Sequence, residues 1–143
     1  MQFQFNDGGR AEAGYKGRAS DCVARAVAIA SEQNYAEVYA WLAAGAGSER
    51  GSKGASARNG IKTTRKWFKD YMASLGAVWV PCMTIGSGCK VHLTDGEVPA
   101  RGRIVVSLSR HFAAVVDGVI HDTSDPSRGG TRCVYGYWTF QPE

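Results

Sequence analysis

The stretch HFAAVVDGVIHD, residues 111–122, decides how this chain folds around any chemistry it carries. Two apolar runs flank the pair Asp117-Gly118, and Asp-Gly between such runs is a strong signal of a two-residue β-hairpin turn. That turn sets Ala113 opposite Asp122 and His111 opposite Ser124. Alternate residues of a strand share a face, so His111 and Asp122 become diagonal neighbours, separated by about 7–8 Å and within reach of an imidazole and a carboxylate. The same register puts Asp125 opposite Arg110 on the other face. A one-residue bulge in the turn would shift the pairing and make Asp125 the reserve partner.

Further strands are expected on either side: residues 77–83 (AVWVPCM), 103–108 (RIVVSL) and 133–140 (CVYGYWTF), with a candidate at 89–93 and the hairpin's second strand running over 119–123. Upstream the period changes. In DCVARAVAIAS, residues 21–31, Val23, Ala26, Val27 and Ala30 share one helical face, with Ser20 or Asp21 as N-cap. A second helix is expected over 34–44, opened by Asn34 and Glu37 in the manner of a capping box, with Val38, Trp41 and Leu42 facing inward. A third, over about 63–75, carries Trp67, Phe68, Tyr71, Met72 and Leu75 on one side and ends at Gly76. Helices first and a mostly antiparallel sheet afterwards define an α+β arrangement. Residues 1–19 read as an irregular arm and 45–60 as a mobile basic loop.

The 143 residues suffice for a single domain that buries roughly 68–70% of its unfolded surface, so no staple is required. No apolar run approaches the ~18 residues of a membrane span, and the first residues lack the apolar stretch of a secretory signal. Cys22, Cys82, Cys89 and Cys133 are therefore expected as reduced thiols in a cytoplasmic protein. The net charge is +4, and residues 50–69 hold seven bases (Arg50, Lys53, Arg58, Lys62, Arg65, Lys66, Lys69) and no acid. The remainder has ten bases against thirteen acids, so the basic character belongs to that one segment.

The sharpest chemical feature is Cys22 in the first turn of a helix. Unpaired N–H groups and the helix dipole favour thiolate there, and the same N–H groups suit an oxyanion. Taken by itself, a cysteine near a helix start is as readily a small buried hydrophobe. The hairpin adds a base, His111, and an acid to orient it, Asp122.

A cysteine opening an N-terminal helix (DCVARAVAIAS), then a histidine beginning an apolar strand (RHFAAVVDG), then an aspartate on the next strand (VIHDTSD), resembles the papain-like cysteine peptidases, in particular the short bacteriocin-processing forms. Together with GSGCKVHL, the combination is also similar to small bacteriophage-encoded proteins. The resemblance implies a papain-like fold, Cys22 as nucleophile, His111 as general base and acid, and Asp122 as orienting acid. It implies hydrolysis of a peptide or amide through an acyl-enzyme, without a cofactor, inside a bacterial host. Transfer of the acyl group to an amine is the same chemistry with another acceptor. The chain departs from the family about six residues before the nucleophile, where a glutamine assists the oxyanion and Lys16 stands here. Gln2, Gln4 and Asn6 lie upstream as replacements. That departure keeps a rival in view, a binding or inhibitor protein on the same fold without turnover.

Other constellations are weaker. Cys82, Cys89, His92 and Cys133 lack the tight spacing of a zinc knuckle, so no metal is expected. IGSGCK, residues 85–90, lacks the spacing of a phosphate loop. His121 alternates with Asp122 and points away from it, and Asp21 reads as a cap. The 50–69 segment is a solvated face or a selector for an acidic protein or peptide substrate; a nucleic-acid interface there is the least favoured reading.

Overall fold

The computed structural model describes residues 1–15, 21–47, 61–84 and 86–140. Strand β1 spans Gln2–Phe5, helix α1 Cys22–Ser31, α2 Tyr35–Gly47 and α3 Lys66–Ser74; strands β2 (Val78–Pro81), β3 (Arg103–Leu108), β4 (His111–Val116), β5 (Val119–Asp122) and β6 (Gly136–Thr139) follow. The six strands form one sheet in the order β1-β5-β4-β3-β6-β2. Every pairing is antiparallel except β1 with β5. The fold is α+β.

Two tight turns set the centre of the sheet. Asp117 and Gly118 both have positive φ (49° and 79°), the conformation that lets a two-residue loop follow the strand twist. Val116 therefore opposes Val119 and Ala114 opposes His121, the register expected from the sequence. The preceding turn, Ser109-Arg110, closes β3 on β4 with Leu108 opposite His111, and Arg110 takes a positive φ of 56°.

The central strands bury both faces. Val105, Phe112, Ala114 and Trp138 pack against the three helices, with Leu42, Phe68 and Met72 fully enclosed between them. Ile104, Val106, Leu108, Ala113, Val115 and Ile120 form a second cluster, covered by Leu93, Val98 and Val134 rather than by a helix. Burying one such large side chain stabilises the fold by about 1.5–3 kcal/mol.

Helix α1 packs on the sheet and is buried nearly all round, with the small residues Ala24, Ala26, Ala28 and Ala30 all enclosed. Its last carbonyls are held by Arg103 of β3, whose Nε donates to Ala30 O (2.9 Å) and Nη2 to Ile29 O (2.6 Å). A cation on those carbonyls also complements the helix dipole. With its C-terminus pinned at the start of β3, the helix carries its N-terminus back to the start of β4. Cys22 reaches His111 by that route.

Several sequence expectations need correction. Residues 2–5 are not an irregular arm: β1 adds a parallel edge strand, and Asn6 N–H continues the pairing onto Asp122 O at 2.9 Å. Residues 89–93 form only an isolated bridge, His92 to Cys133. Trp41 does not face inward; it is 65% exposed and stacks on Tyr71. Asp21 sits at the N-cap position without a side-chain cap bond, whereas Asn34 does cap α2, accepting from Ala36 N–H (2.9 Å) and Glu37 N–H (3.3 Å). The four cysteines are not all free, because Cys89 and Cys133 form a disulfide. The bridge at His92 brings those segments together, a juxtaposition no local pattern announces. Helix α2 runs on to Gly47, and the remainder of the expected basic loop, 48–60, lies outside the described residues.

Candidate active site

Cys22 is the first residue of α1, so the amides of its turn have no acceptor within the helix. His111 is the first residue of β4, and Asp122 the last of β5. The hairpin register makes the two diagonal neighbours, and the imidazole Nε2–H donates to Asp122 Oδ2 at 2.6 Å. Asp122 is 4% exposed and His111 24%. The other carboxylate oxygen, Oδ1, accepts from Thr123 N–H at 2.7 Å and faces Arg25 Nη2 at 3.6 Å.

The imidazole also acts on the Cys22 sulfur, both as a hydrogen-bonding group and as a charge. Burial raises the thiol pKa, but the His111 hydrogen bond and charge, the Phe112 backbone and the Arg25 charge together bring it below its ordinary value. Burial pulls His111 down. The Asp122 hydrogen bond, then the bond and charge of Cys22, then the Asp122 charge, outweigh it and push His111 up to about 9. Each group therefore shifts the other toward its charged form, the thiol toward thiolate and the imidazole toward imidazolium. Asp125, the reserve partner, accepts from Ser127 N–H at 2.9 Å instead.

Behind this trio lies a charged network that the sequence reading missed. Asp21, 1% exposed, does not cap α1. Its carboxylate accepts from Tyr35 Oη and Arg25 Nη1, and it pairs with Arg10 Nε at 3.1 Å. Arg25 thus links Asp21 to Asp122 from the next turn of the helix that carries Cys22. The signal was present: Arg25 is the lone charge in CVARAVAIAS, four residues after an acid.

The remaining candidates are placed elsewhere. Lys16 lies outside the described residues. Gln2 and Gln4 are exposed on the edge strand β1. Asn6 spends its amide on His121 Nδ1 (3.2 Å) and its carbonyl on Gly8 N–H (2.8 Å). His92 bonds Glu97 through Nδ1 at 3.0 Å. Among the described residues no cluster of three His, Cys, Asp or Glu is placed to hold a metal ion, and no helix is long and apolar enough to cross a membrane. Of the basic segment, Lys66 pairs with Asp70 at 2.7 Å, and Arg50, Lys53 and Arg58 lie outside the described residues.

Two hollows open near the start of β4, one lined by Phe112 and the other by His111. One, of about 290 Å³, is lined by Thr63, Lys69, Trp79, Phe112, Tyr135 and Trp138 among others. Gly136 makes room there, since a Cβ would stand 2.4 Å from the Trp79 ring. The other, of about 650 Å³, includes His111 itself. Family models, curated proteins and solved structures offer no match to this chain.

Proposed function

We propose that the protein is a cysteine-dependent hydrolase of papain-like type, a peptidase or amidase acting through Cys22, His111 and Asp122. The observation that carries the reading is the His111–Asp122 bond of 2.6 Å on an imidazole that also acts on the thiol at the start of α1. In this mechanism the Cys22 thiolate attacks an amide carbonyl, forming the S–C bond and an oxyanion. The N–H groups of the first helical turn are the donors available to that oxyanion. Collapse breaks the C–N bond as the His111 imidazolium gives its proton to the leaving amine. His111 then takes a proton from water, which attacks the thioester and releases the acid and the thiol. Asp122 holds the imidazole in the tautomer and orientation both steps need.

Resemblance to phage-encoded proteins supports a setting in the cytoplasm of a bacterial host, where the Cys89–Cys133 pair would meet a reducing pool. The rival reading, a binding protein without turnover, is favoured by one feature: Gln2 and Gln4 are exposed along the edge strand and Asn6 commits its amide to His121, so none of them is seen to serve an oxyanion at Cys22.

Iodoacetamide labelling at pH 6 tests the proposal. Cys22 should alkylate about a hundredfold faster than Cys82, and His111→Ala should abolish the difference. Equal, slow labelling of the two thiols in the unaltered protein would overturn it.

A further inference from the structure

The 650 Å³ hollow that contains His111 is bounded by the Ser109-Arg110 turn and by Ser124, Asp125, Pro126, Arg128 and Arg132. Three arginines and one acid therefore surround the imidazole on this side. They are not equivalent. Arg132 is structural: its Nη2 donates to Ser109 O at 2.6 Å and its Nη1 to Pro126 O at 3.3 Å, tying the β3–β4 turn to the loop after β5. Burial and the neighbouring Arg128 charge lower its pKa, which shows how closely positive charge is packed here. Asp125 is committed to Ser127 N–H.

Arg110 and Arg128 are exposed. Among the described residues neither has a carboxylate in ion-pairing range. Both stand at positive φ, 56° and 52°. Non-glycine residues take that conformation at a cost of about 1–3 kcal/mol, and the surrounding turns must impose it. The loop bearing Arg128 is stiffened accordingly: Gly130 N–H and Arg132 N–H both bond Ser127 O at 3.0 Å, and Thr131 Oγ1 donates to Arg128 O at 2.7 Å. Two unpaired guanidinium groups on braced turns, opening onto a histidine, form a receptor for a small anion.

We propose that this hollow is a substrate subsite for an acidic side chain, Asp or Glu, on the amine side of the scissile bond. The inference rests on the hydrolase reading above, because it is His111 that must reach the leaving amine. His111 lines this hollow and not the aromatic one, so the departing segment belongs here. A peptide carboxylate suits the site better than a phosphate dianion because Asp125 already contributes a negative charge to its wall. Acid selection thus falls to Arg110 and Arg128, whereas the sequence pointed to residues 50–69.

Two matched probes separate this inference from the one beneath it: chloroacetyl-Glu-amide and chloroacetyl-Gln-amide. Each forms an S–C bond with Cys22 as C–Cl breaks and chloride leaves, and each puts its side chain on the amine side of the carbonyl. At pH 6 and low salt the Glu probe should label Cys22 at least about threefold faster than the Gln probe, with the advantage fading at 1 M NaCl. In Arg110→Asn/Arg128→Asn, chosen because Asn tolerates positive φ, the two probes should react alike. Equal rates in the unaltered protein, or a preference that survives in the double variant, would overturn the subsite. A Gln probe that labels Cys22 no faster than Cys82 would instead overturn the hydrolase reading.

Discussion

Cys22 and Cys82 are the two free thiols among the described residues, both half-buried, and their surroundings push them in opposite directions. Cys82 follows β2, its N–H bonded to Tyr135 O at 2.9 Å, and its sulfur packs against the helix-free cluster. Burial alone acts on it and raises its pKa. Burial raises Cys22 as well, but an imidazole, a backbone group and a guanidinium reverse the sign. Enclosure makes a thiol inert; what makes one reactive is a fixed positive charge held against it.

Asp122→Asn should narrow that difference most among changes that leave Cys22 and His111 in place. The amide keeps the shape and one oxygen that can accept from the imidazole, but it removes the charge that strengthens that bond and raises His111, so less imidazolium faces the sulfur. Cys22 labelling at pH 6 should fall about tenfold while Cys82 labelling stays unchanged. The sign with pH follows from the His111 value. An imidazole raised from 6.5 to about 9 contributes stability that is fully present below pH 6.5 and is lost as pH rises through about 9. The stability gap between the unaltered protein and Asp122→Asn should therefore shrink from pH 6 to pH 10 in urea titrations. A gap that widened would show that the imidazole is not held charged by Asp122.

Arg25→Gln should act more weakly on the thiol and more strongly on the fold. Its charge is the last-ranked influence on Cys22, so the labelling advantage over Cys82 should drop about threefold. Asp21 and Asp122, however, are both buried and both lose a partner. Removing one member of a buried ion pair costs about 3–5 kcal/mol, and urea denaturation should show a loss of that order. Arg25→Lys should restore only part of it, because an ammonium lacks the planar fork that spans two carboxylates. Full rescue by Lys would mean that charge alone, and not the bridge, is what Arg25 supplies.

How much of this was legible in the sequence depends on how local each signal is. Strands 103–108 and 111–116 match the structure residue for residue, because tight turns leave little freedom of register. The His111–Asp122 pairing follows from the same turn. Strand β1 was hidden although QFQF alternates: four residues exposed along their length give no core-facing stripe, and the parallel partner lies over a hundred residues away. Trp41 was misplaced because helical periodicity does not say where a face meets the edge of its neighbour. The Asp21–Arg25–Asp122 link needed the packing of α1 on the sheet, as did the grouping of Arg110, Arg128 and Arg132 around His111.

The Cys89–Cys133 disulfide gives the smallest expected effect on the thiol comparison and so tests how local that comparison is. The bond spans 44 residues of chain and ties the segment before His92 to the approach to β6, on the side of the sheet where Leu93 and Val134 cover the second cluster. Cys82 packs against that cluster, whereas Cys22 belongs with the helices on the opposite face. Replacing Cys89 and Cys133 with Ser should cost about 2–4 kcal/mol, chiefly by freeing the unfolded chain. It should leave the labelling rate of Cys22 within about twofold, since its imidazole, its backbone partner and Arg25 are anchored by β4, β5 and α1. Any change should fall on Cys82, whose packing is the part loosened. A loss of Cys22 reactivity in the double serine variant would mean that the two faces of the sheet are coupled, and that the thiol depends on the disulfide.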